Sequence, residues 1–189
     1  IAYPAYGSLQ FAVVRFGGQV YAHYSKPTLQ DDTISKMSLA GLYLDTPPGS
    51  TYTIERLSIT DSSYNLWLYA VPSTTTIQNS IFRGAYGAYS VLAQASTASR
   101  LTSNSIDANG MRAAGFSWAI SAATSPMVLR YNSIANNQRA DGTRMGVTAS
   151  GSTVDAQYNF WGSSSGPAVT GQTTTGGGSV VSASYVTIT

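Results

Sequence analysis

One tripeptide, Asn-Ser-Ile, recurs along the second half of the chain at nearly constant spacing. It begins at Asn79, Asn104 and Asn132, and Asn159 begins the variant Asn-Phe-Trp, so these asparagines follow one another at intervals of 25, 28 and 27 residues. Residues 57–59, Leu-Ser-Ile, form an earlier member at a slightly shorter interval. Self-similarity at a fixed period of this length is typical of a solenoid, in which each repeat forms one coil.

The residues between the tripeptides favour short strands. Each repeat has a second apolar run, at residues 66–69, 89–92, 116–120 and 145–147, and Gly or Asn separates the two runs in most copies. Such runs are too short for stable helices but suit strands. The period equals one turn of a three-faced coil, so the sequence predicts an all-β parallel solenoid of about five coils. Leucine-rich repeats share the period, but their Leu-rich consensus is missing.

Equivalent residues of successive coils should stack at the strand spacing of about 4.8 Å. Asparagine tolerates left-handed backbone angles and its amide can bond the next coil, so we expect a corner ladder of asparagines. We also expect an internal apolar ladder, which Phe160 would continue. The predicted ladder residues are Asn79, Asn104, Asn132 and Asn159 at the corner, and Ile59, Ile81, Ile106 and Ile134 inside.

Residues 159–167, Asn-Phe-Trp-Gly-Ser-Ser-Ser-Gly-Pro, resemble the N-x-W-G-x-x-x-G-P signature that closes the last coil of many secreted prokaryotic right-handed β-helix proteins. The preceding coils match the same group, so the resemblance covers residues 51–170. It implies a right-handed parallel β-helix and an extracellular or cell-surface location, but no single function. Trp161 is expected to cap the apolar end, with Gly162, Gly166 and Pro167 shaping the turn beyond it; an aromatic sugar platform is the alternative.

The two ends of the chain differ from the repeats. Residues 9–16 and 19–24 are β-rich and flank Gly17-Gly18, a pattern that predicts a β-hairpin. We therefore divide the single domain into an N-terminal β-rich cap or assembly segment (1–50), a parallel β-helix (51–170), and a Thr/Gly linker with a terminal strand (171–189). The chain begins with Ile rather than Met, which fits a mature product without its leader or a trimmed one.

Composition excludes several classes of partner. Charged residues make up 10% of the chain and the net charge of +2 is scattered, so no nucleic-acid partner is expected. No apolar run approaches the roughly 20 residues that span a bilayer. There is no cysteine, which excludes disulfides and thiolate chemistry.

An enzyme has to be considered, because many β-helix proteins cleave polysaccharides. Glycoside hydrolysis normally needs two carboxylates on one bond, and no two acids occupy clearly matching positions in adjacent coils. His23 is the only histidine and has no demonstrated orienting partner. The sequence therefore predicts no catalytic residues and no enzymatic activity. The eight acidic residues are Asp31, Asp32, Asp45, Glu55, Asp61, Asp107, Asp141 and Asp155.

No cofactor is expected, although one segment is similar to the start of a calcium loop. Asp107-Ala108-Asn109-Gly110 has the D-x-N-G order, but the acidic residue that should close such a loop is absent. A simple turn is the favoured interpretation, and calcium between coils is the alternative. The thirteen tyrosines could stack on sugars or on neighbouring subunits if several share one outer face.

These observations predict an extracellular structural or adhesive protein of the cell surface, a self-assembling subunit of a fibre or layer. Its partners would be other copies of itself or cell-surface polymers. The terminal β-rich segments, 9–16 and 180–188, would pair with a neighbouring molecule or, equally, fold back as caps. The alternative function is a carbohydrate-binding or polysaccharide-cleaving β-helix, and a third is a fragment of an adhesin or phage spike.

Overall fold

The chain winds into a parallel β-helix with three strands in each coil. The computed structural model describes residues 8–23, 28–45, 53–71, 75–97, 99–111, 115–169, 178–181 and 186–188. All its strand pairs are parallel, which confirms the predicted all-β solenoid. Residues 53–169 supply about five coils, and residues 8–45 add two more. Nothing within these described ranges forms a helix of the length and hydropathy needed to cross a membrane.

Sheet A is built from short strands in which one residue in two points inward. Leu29, Ile54, Ile77, Leu101 and Leu129 are buried on its inner face and stack from coil to coil. Parallel strands that are covered on one face only should show this alternation. In order across the sheet, the strands are β1 (Ser8–Gln10), β4 (Thr28–Gln30), β7 (Thr53–Glu55), β10 (Thr76–Gln78), β13 (Ser99–Thr102), β16 (Met127–Arg130), β19 (Val154–Asp155) and β22 (Val186–Thr187).

Sheet B contributes the central apolar ladder of the core. Ile34, Ile59, Phe82, Ile106 and Ile134 are each fully buried and lie in register with one another. The sheet consists of β2 (Val13–Arg15), β5 (Thr33–Ser35), β8 (Ser58–Thr60), β11 (Ile81–Arg83), β14 (Ser105–Asp107) and β17 (Ser133–Ala135).

Sheet C has the longest strands. Its inner face packs Leu42, Leu66 and Val91 into the core, whereas its outer face carries aromatic side chains. In order across the sheet, the strands are β3 (Val20–His23), β6 (Ala40–Asp45), β9 (Tyr64–Tyr69), β12 (Tyr89–Gln94), β15 (Trp118–Ala123), β18 (Val147–Ser150), β21 (Val180–Val181) and β20 (Ala168–Val169).

The predicted N-terminal hairpin is wrong. β2 pairs with β5 in sheet B and β3 pairs with β6 in sheet C, so the two runs never pair with each other. Phe16, with a φ of 58°, turns the chain at a coil corner, and the Gly17 and Gly18 carbonyls accept bonds from Ser38 and Leu39 of the next coil. A coil corner and a hairpin turn use the same residue types. The predicted boundaries at 50 and 170 lie outside the described residues.

Two predicted ladder residues, Asn79 and Ile81, are displaced from their ladders by one position. Ser80 takes the place equivalent to Asn104, and Phe82 pairs with Ile106. Asn79 is instead an exposed corner residue with a φ of 53°, and Ile81 is 46% exposed and pairs with Ser105. Because side chains alternate with a period of two, a one-residue shift moves a side chain to the opposite face.

A ladder of asparagines lines the corner between sheets A and B. Ser80 donates its N–H to Asn104 Oδ1, Asn104 donates to Asn132 Oδ1, and Asn132 donates to Asn159 Oδ1, all at 2.9 Å. The Asn104 amide also donates to the Ile77 carbonyl at 2.9 Å. Asn104 and Asn132 are buried, so each amide satisfies backbone groups that water cannot reach.

A second ladder, which the sequence analysis missed, lines the corner between sheets B and C. Ala85 donates its N–H to Asn109 Oδ1 at 2.9 Å, and Asn109 donates its own to Asn137 Oδ1 at 3.2 Å. The Asn65 amide joins from two coils earlier along the chain, at 3.1 Å from Asn109 Oδ1. The signal was present, since Asn109 and Asn137 follow Asn104 and Asn132 by five residues each.

The terminal coil and the last strands close the end of the helix. Trp161 is 4% exposed and accepts a bond from Ser179 at its carbonyl, while Gly162 and Gly166 have left-handed φ angles of 83° and 80°. β21 pairs with β18 and β22 pairs with β19. The described C-terminal strands therefore fold back onto their own coils.

Replacement of a ladder asparagine should cost more stability than replacement of a corner asparagine. Asn132→Ala leaves buried backbone groups unpaired and should reduce the free energy of unfolding by about 1–3 kcal/mol. Asn79→Ala is the matched control, because Asn79 is exposed and alanine already adopts the left-handed conformation at Ala70 and Ala95. Chemical denaturation measures both variants, and equal losses would contradict the ladder.

Candidate functional site

A row of touching aromatic rings crosses the outer face of sheet C, and we call it the aromatic strip. It consists of Tyr21, Tyr43, Trp67, Tyr64 and Tyr89. Ring centroids lie 4.8 Å apart between Tyr21 and Tyr43 and 5.0 Å apart between Tyr43 and Trp67. The strip continues from Trp67 to Tyr64 at 5.5 Å and on to Tyr89 at 6.2 Å.

The β-helix winding itself assembles the strip. Tyr21, Tyr43 and Trp67 are partners in register on neighbouring strands of sheet C. The strip crosses β3, β6, β9 and β12, and three strand intervals of about 4.8 Å give it a length of about 14 Å. Its rings are exposed or half-buried, so one edge of the strip faces solvent.

Polar groups border the Tyr21 end of the strip. His23 Nδ1 lies 3.0 Å from Asp45 Oδ2 and 2.9 Å from the Tyr21 hydroxyl. The Asp45 side chain is 15% exposed and that of His23 is 51% exposed, so the Asp45 carboxylate is the more tightly surrounded group of this pair. His23, for which the sequence demonstrated no orienting partner, therefore has one in the next coil. Asp45 and Tyr21 together set the orientation of the imidazole ring.

The environment of the strip shifts the ionisation of Tyr43. Burial raises the pKa of the Tyr43 hydroxyl above its ordinary value of 10.0, and the Asp45 carboxylate raises it further, with smaller contributions from Tyr21 and Tyr69. Tyr43 thus remains protonated over the physiological range. It keeps a hydroxyl donor at the surface of the strip.

A groove of about 620 Å³ lies at the corner between sheets B and C, and we call it the corner groove. Its volume is within the roughly 300–1,000 Å³ range typical of ligand sites. It combines two cations, one carboxylate, an aromatic ring and a thioether. Its lining includes Lys36, Asp61, Arg83, Gly84, Tyr86 and Met111.

Hydrogen bonds to neighbouring residues orient Arg83 and Tyr86 in the wall of the corner groove. Arg83 Nη2 donates to Asp107 Oδ2 at 2.7 Å, and the Asn136 amide donates to Asp107 Oδ1 at 2.9 Å. The Tyr86 hydroxyl donates to the Met37 carbonyl at 2.9 Å, which fixes the ring at the wall of the groove. Gly84 has a φ of 69°, and a Cβ there would come within 2.5 Å of Asp61 Oδ1.

The residues that the sequence suggested for calcium or sugar binding make other contacts in the structure. Asp107 bonds Arg83 and Asn136, and Asn109 is fully buried in the second asparagine ladder. Within the described residues, no three His, Cys, Asp or Glu side chains cluster as metal ligands. Trp161 borders a smaller hollow of about 250 Å³ with Gly166 and Pro167 but is itself buried.

The sequence analysis did not find the aromatic strip or the corner groove. The strip had a detectable signal, because Tyr21, Tyr43 and Trp67 follow one another at 22 and 24 residues, close to the coil period. The groove had none, since the equivalent corner positions Lys36, Asp61 and Gly84 share no residue type.

Comparison with known proteins gives one informative likeness. No protein-family model matches the sequence, and no curated protein matches it. The fold is similar to the crystal structure of the enzymatically active domain of bacteriophage CBA120 tailspike protein 2, with a TM-score of 0.56 and 12% sequence identity. The alignment covers 90% of this chain but 25% of that chain, so this chain spans about a quarter of the tailspike domain.

The expectation that this chain is not an enzyme is corrected by that likeness. It rested on the lack of matching carboxylates and on a histidine without a partner. The fold that the chain shares is the scaffold of an enzymatically active domain, and Asp45 is the partner of His23. At this identity the likeness shows the fold alone, so an activity of this chain has to be argued from its own residues. The secreted prokaryotic grouping stays a prediction.

The pKa of Tyr43 offers a test of the strip's polar border. Asp45→Asn removes a negative charge beside Tyr43, so the pKa of the hydroxyl should fall while staying above its ordinary value, because burial remains. Titration of ¹³C-labelled tyrosines by NMR measures this shift. Asp155→Asn, in sheet A, is the control and should leave the pKa of Tyr43 unchanged. If the pKa of Tyr43 is unchanged in both variants, the charge of Asp45 does not act on Tyr43.

Proposed function

We propose that this protein is an extracellular β-helix that binds a polysaccharide along the aromatic strip and cleaves it. The observation that carries the proposal is the strip itself, a row of five contacting rings on one outer face. The apolar faces of sugar rings stack on aromatic side chains, whose polar edges also bond hydroxyl groups. A linear array of rings fits a linear polymer better than a small ligand.

The polar border and the low charge support a sugar ligand. His23, Asp45 and the Tyr21 hydroxyl supply donors and acceptors beside the rings. Charged residues are 10% of the chain, so a neutral hydroxyl-rich polymer meets little charge desolvation on most of the surface. The likeness to an enzymatically active β-helix domain supports the cleavage half of the proposal and the extracellular location.

Trp67 lies at the middle of the strip and should be its main anchor. Trp67→Ala should weaken polysaccharide binding by about tenfold or more, which corresponds to about 1.4 kcal/mol or more. Affinity electrophoresis in gels that contain dextran, pectin, alginate, hyaluronan or xylan measures the effect.

Tyr131→Ala is the matched control for Trp67→Ala. Tyr131 is exposed and stacks on Tyr158 with centroids 5.9 Å apart, but it lies at the corner between sheets A and B. Its loss should leave binding unchanged. If wild-type protein binds none of the five polymers, or if both variants bind equally, the strip is not a glycan surface.

The structural role predicted from sequence retains one supporting observation. Phe11, Val13 and Phe16 of the first coil are 74%, 62% and 73% exposed, and such an apolar patch can mark a contact between copies. The described strands at both ends pair within their own sheets, which favours caps over strand exchange. Electron microscopy over a range of concentrations should show ordered fibres or layers if copies assemble, whereas dispersed monomers throughout exclude it.

A further inference from the structure

We infer that a second row of side chains, which runs beside the aromatic strip, restricts the ligand of the strip to uncharged glycans. The inference rests on the proposed function and names the substrate class of the same site. The row lies on the outer face of sheet C, and we call it the polar row. It consists of His23, Asp45, Tyr69 and Gln94.

The winding of the chain places the polar row parallel to the aromatic strip. His23 pairs with Asp45, and Asp45 pairs with Tyr69. Tyr69 pairs with Gln94, so the four residues occupy equivalent positions on β3, β6, β9 and β12. Each of the first three follows a ring of the strip by two residues, and such residues point to the same face of a strand. The two rows are therefore about 6.6 Å apart along the strands.

Three groups of the polar row are left for a ligand. Asp45 uses Oδ2 for His23, and its Oδ1 accepts no bond from another described residue. Tyr69 is 43% exposed, and its hydroxyl donates to no described residue. Gln94 uses Oε1 for Trp67, and its amide nitrogen likewise donates to no described residue.

These three groups match sugar hydroxyls better than sugar carboxylates. In order along the row they are an acceptor, a hydroxyl and an amide donor, at the strand spacing of about 4.8 Å. A hydroxyl both donates and accepts, so it can bond each of them. An ionised carboxylate only accepts, so it can bond Tyr69 and Gln94 but not Asp45. A uronate ring beside Asp45 would leave two carboxylates facing each other.

The charge of this face acts in the same direction. The described strands of sheet C contain no Lys or Arg, and Asp45 is the single acidic residue among them. An imidazole is mostly neutral at pH 8, so His23 then does little to offset that charge. The net charge of +2 comes from cations outside these strands. Physiological salt weakens the pull of such cations over more than about 8 Å.

Gln94 also fixes the ring on which the ligand stacks. Trp67 Nε1 donates to Gln94 Oε1 at 3.0 Å, and the Trp67 ring contacts Tyr43 and Tyr64 at centroid distances of 5.0 and 5.5 Å. An indole has a single donor, and here Gln94 occupies it. Trp67 therefore offers a ligand its ring surface, and the hydrogen bonds come from the polar row. Gln94 is a positioning residue for Trp67.

The test compares the neutral and the acidic form of one polymer. Dextran and xylan are set beside their carboxymethyl derivatives in affinity gels at about pH 8 and about 0.15 M salt. Wild-type protein should bind the carboxymethyl form about fivefold more weakly or worse, because one carboxylate repels another at close range. Asp45→Asn keeps the shape of the side chain without its charge, so it should reduce this difference to about twofold or less. Asp155→Asn, in sheet A, is the matched control and should keep the wild-type difference.

Two substitutions of Gln94 separate positioning from charge. Gln94→Leu removes the acceptor, so it should weaken binding of the neutral polymer about fivefold and shift the NMR signal of the Trp67 indole N–H, which Trp67→Ala identifies by its loss. Gln94→Glu keeps an acceptor, so it should retain more neutral binding than Gln94→Leu and leave the indole signal closer to its wild-type position. Its added charge should widen the difference between the neutral and carboxymethyl forms.

The possible failures are distinguishable. Wild-type protein that binds both forms equally, or binds acidic polymers alone, overturns the inference while the proposed glycan surface stands. An Asp45→Asn variant that keeps the full difference also overturns it, and an unmoved indole signal in Gln94→Leu removes the positioning role. Wild-type protein that binds none of the five polymers overturns the proposed function, and the inference falls with it.

Discussion

Each coil depends on turning the chain with one left-handed residue and burying the residue after it. A left-handed conformation costs an L-residue about 1–2 kcal/mol, yet Arg56, Asn79 and Ser103 all adopt it at the corner between sheets A and B. The cost is offset because their N–H groups donate to carbonyls of the next coil, at 3.1, 3.2 and 3.0 Å. The corner bonds and the sheets therefore form together, and neither is stable without the other.

The repeat made the solenoid predictable because its buried positions are occupied by nearly identical residues. Asn104, Asn132 and Asn159 bond one another in a row, and each position needs the same side-chain amide, so the residue type repeats. The prediction was wrong where the residue types matched but the backbone conformations differed. Asn79 starts the same tripeptide as Asn104, yet its left-handed φ places it outside the ladder and gives its role to Ser80. The first coils were missed because Ala12 and Asp32 occupy the positions equivalent to Asn104 there.

The candidate site was harder to predict, because nothing requires its residues to be alike. The strip mixes tyrosine with tryptophan, and its members come from four coils. The corner groove takes Lys36, Asp61 and Arg83 from three successive coils. Only the register of sheet B shows that these three side chains meet at one corner. The sequence repeat reflects the residues that stack inside the helix. The outer surface combines residues of different types from several coils, so no repeat marks it.

The residues that stack inside the helix and those on its outer surface are free to vary to different extents over evolutionary time. Because the asparagine ladders and the apolar stack hold the winding, outer positions can be exchanged with little effect on folding. Duplication of one coil between β6 and β9 would lengthen the aromatic strip by one strand spacing, whereas loss of the coil that carries Arg83 and Gly84 would remove part of the wall of the corner groove. Whole-coil insertion and deletion therefore change the outer surface in large steps, and single substitutions change it in small ones.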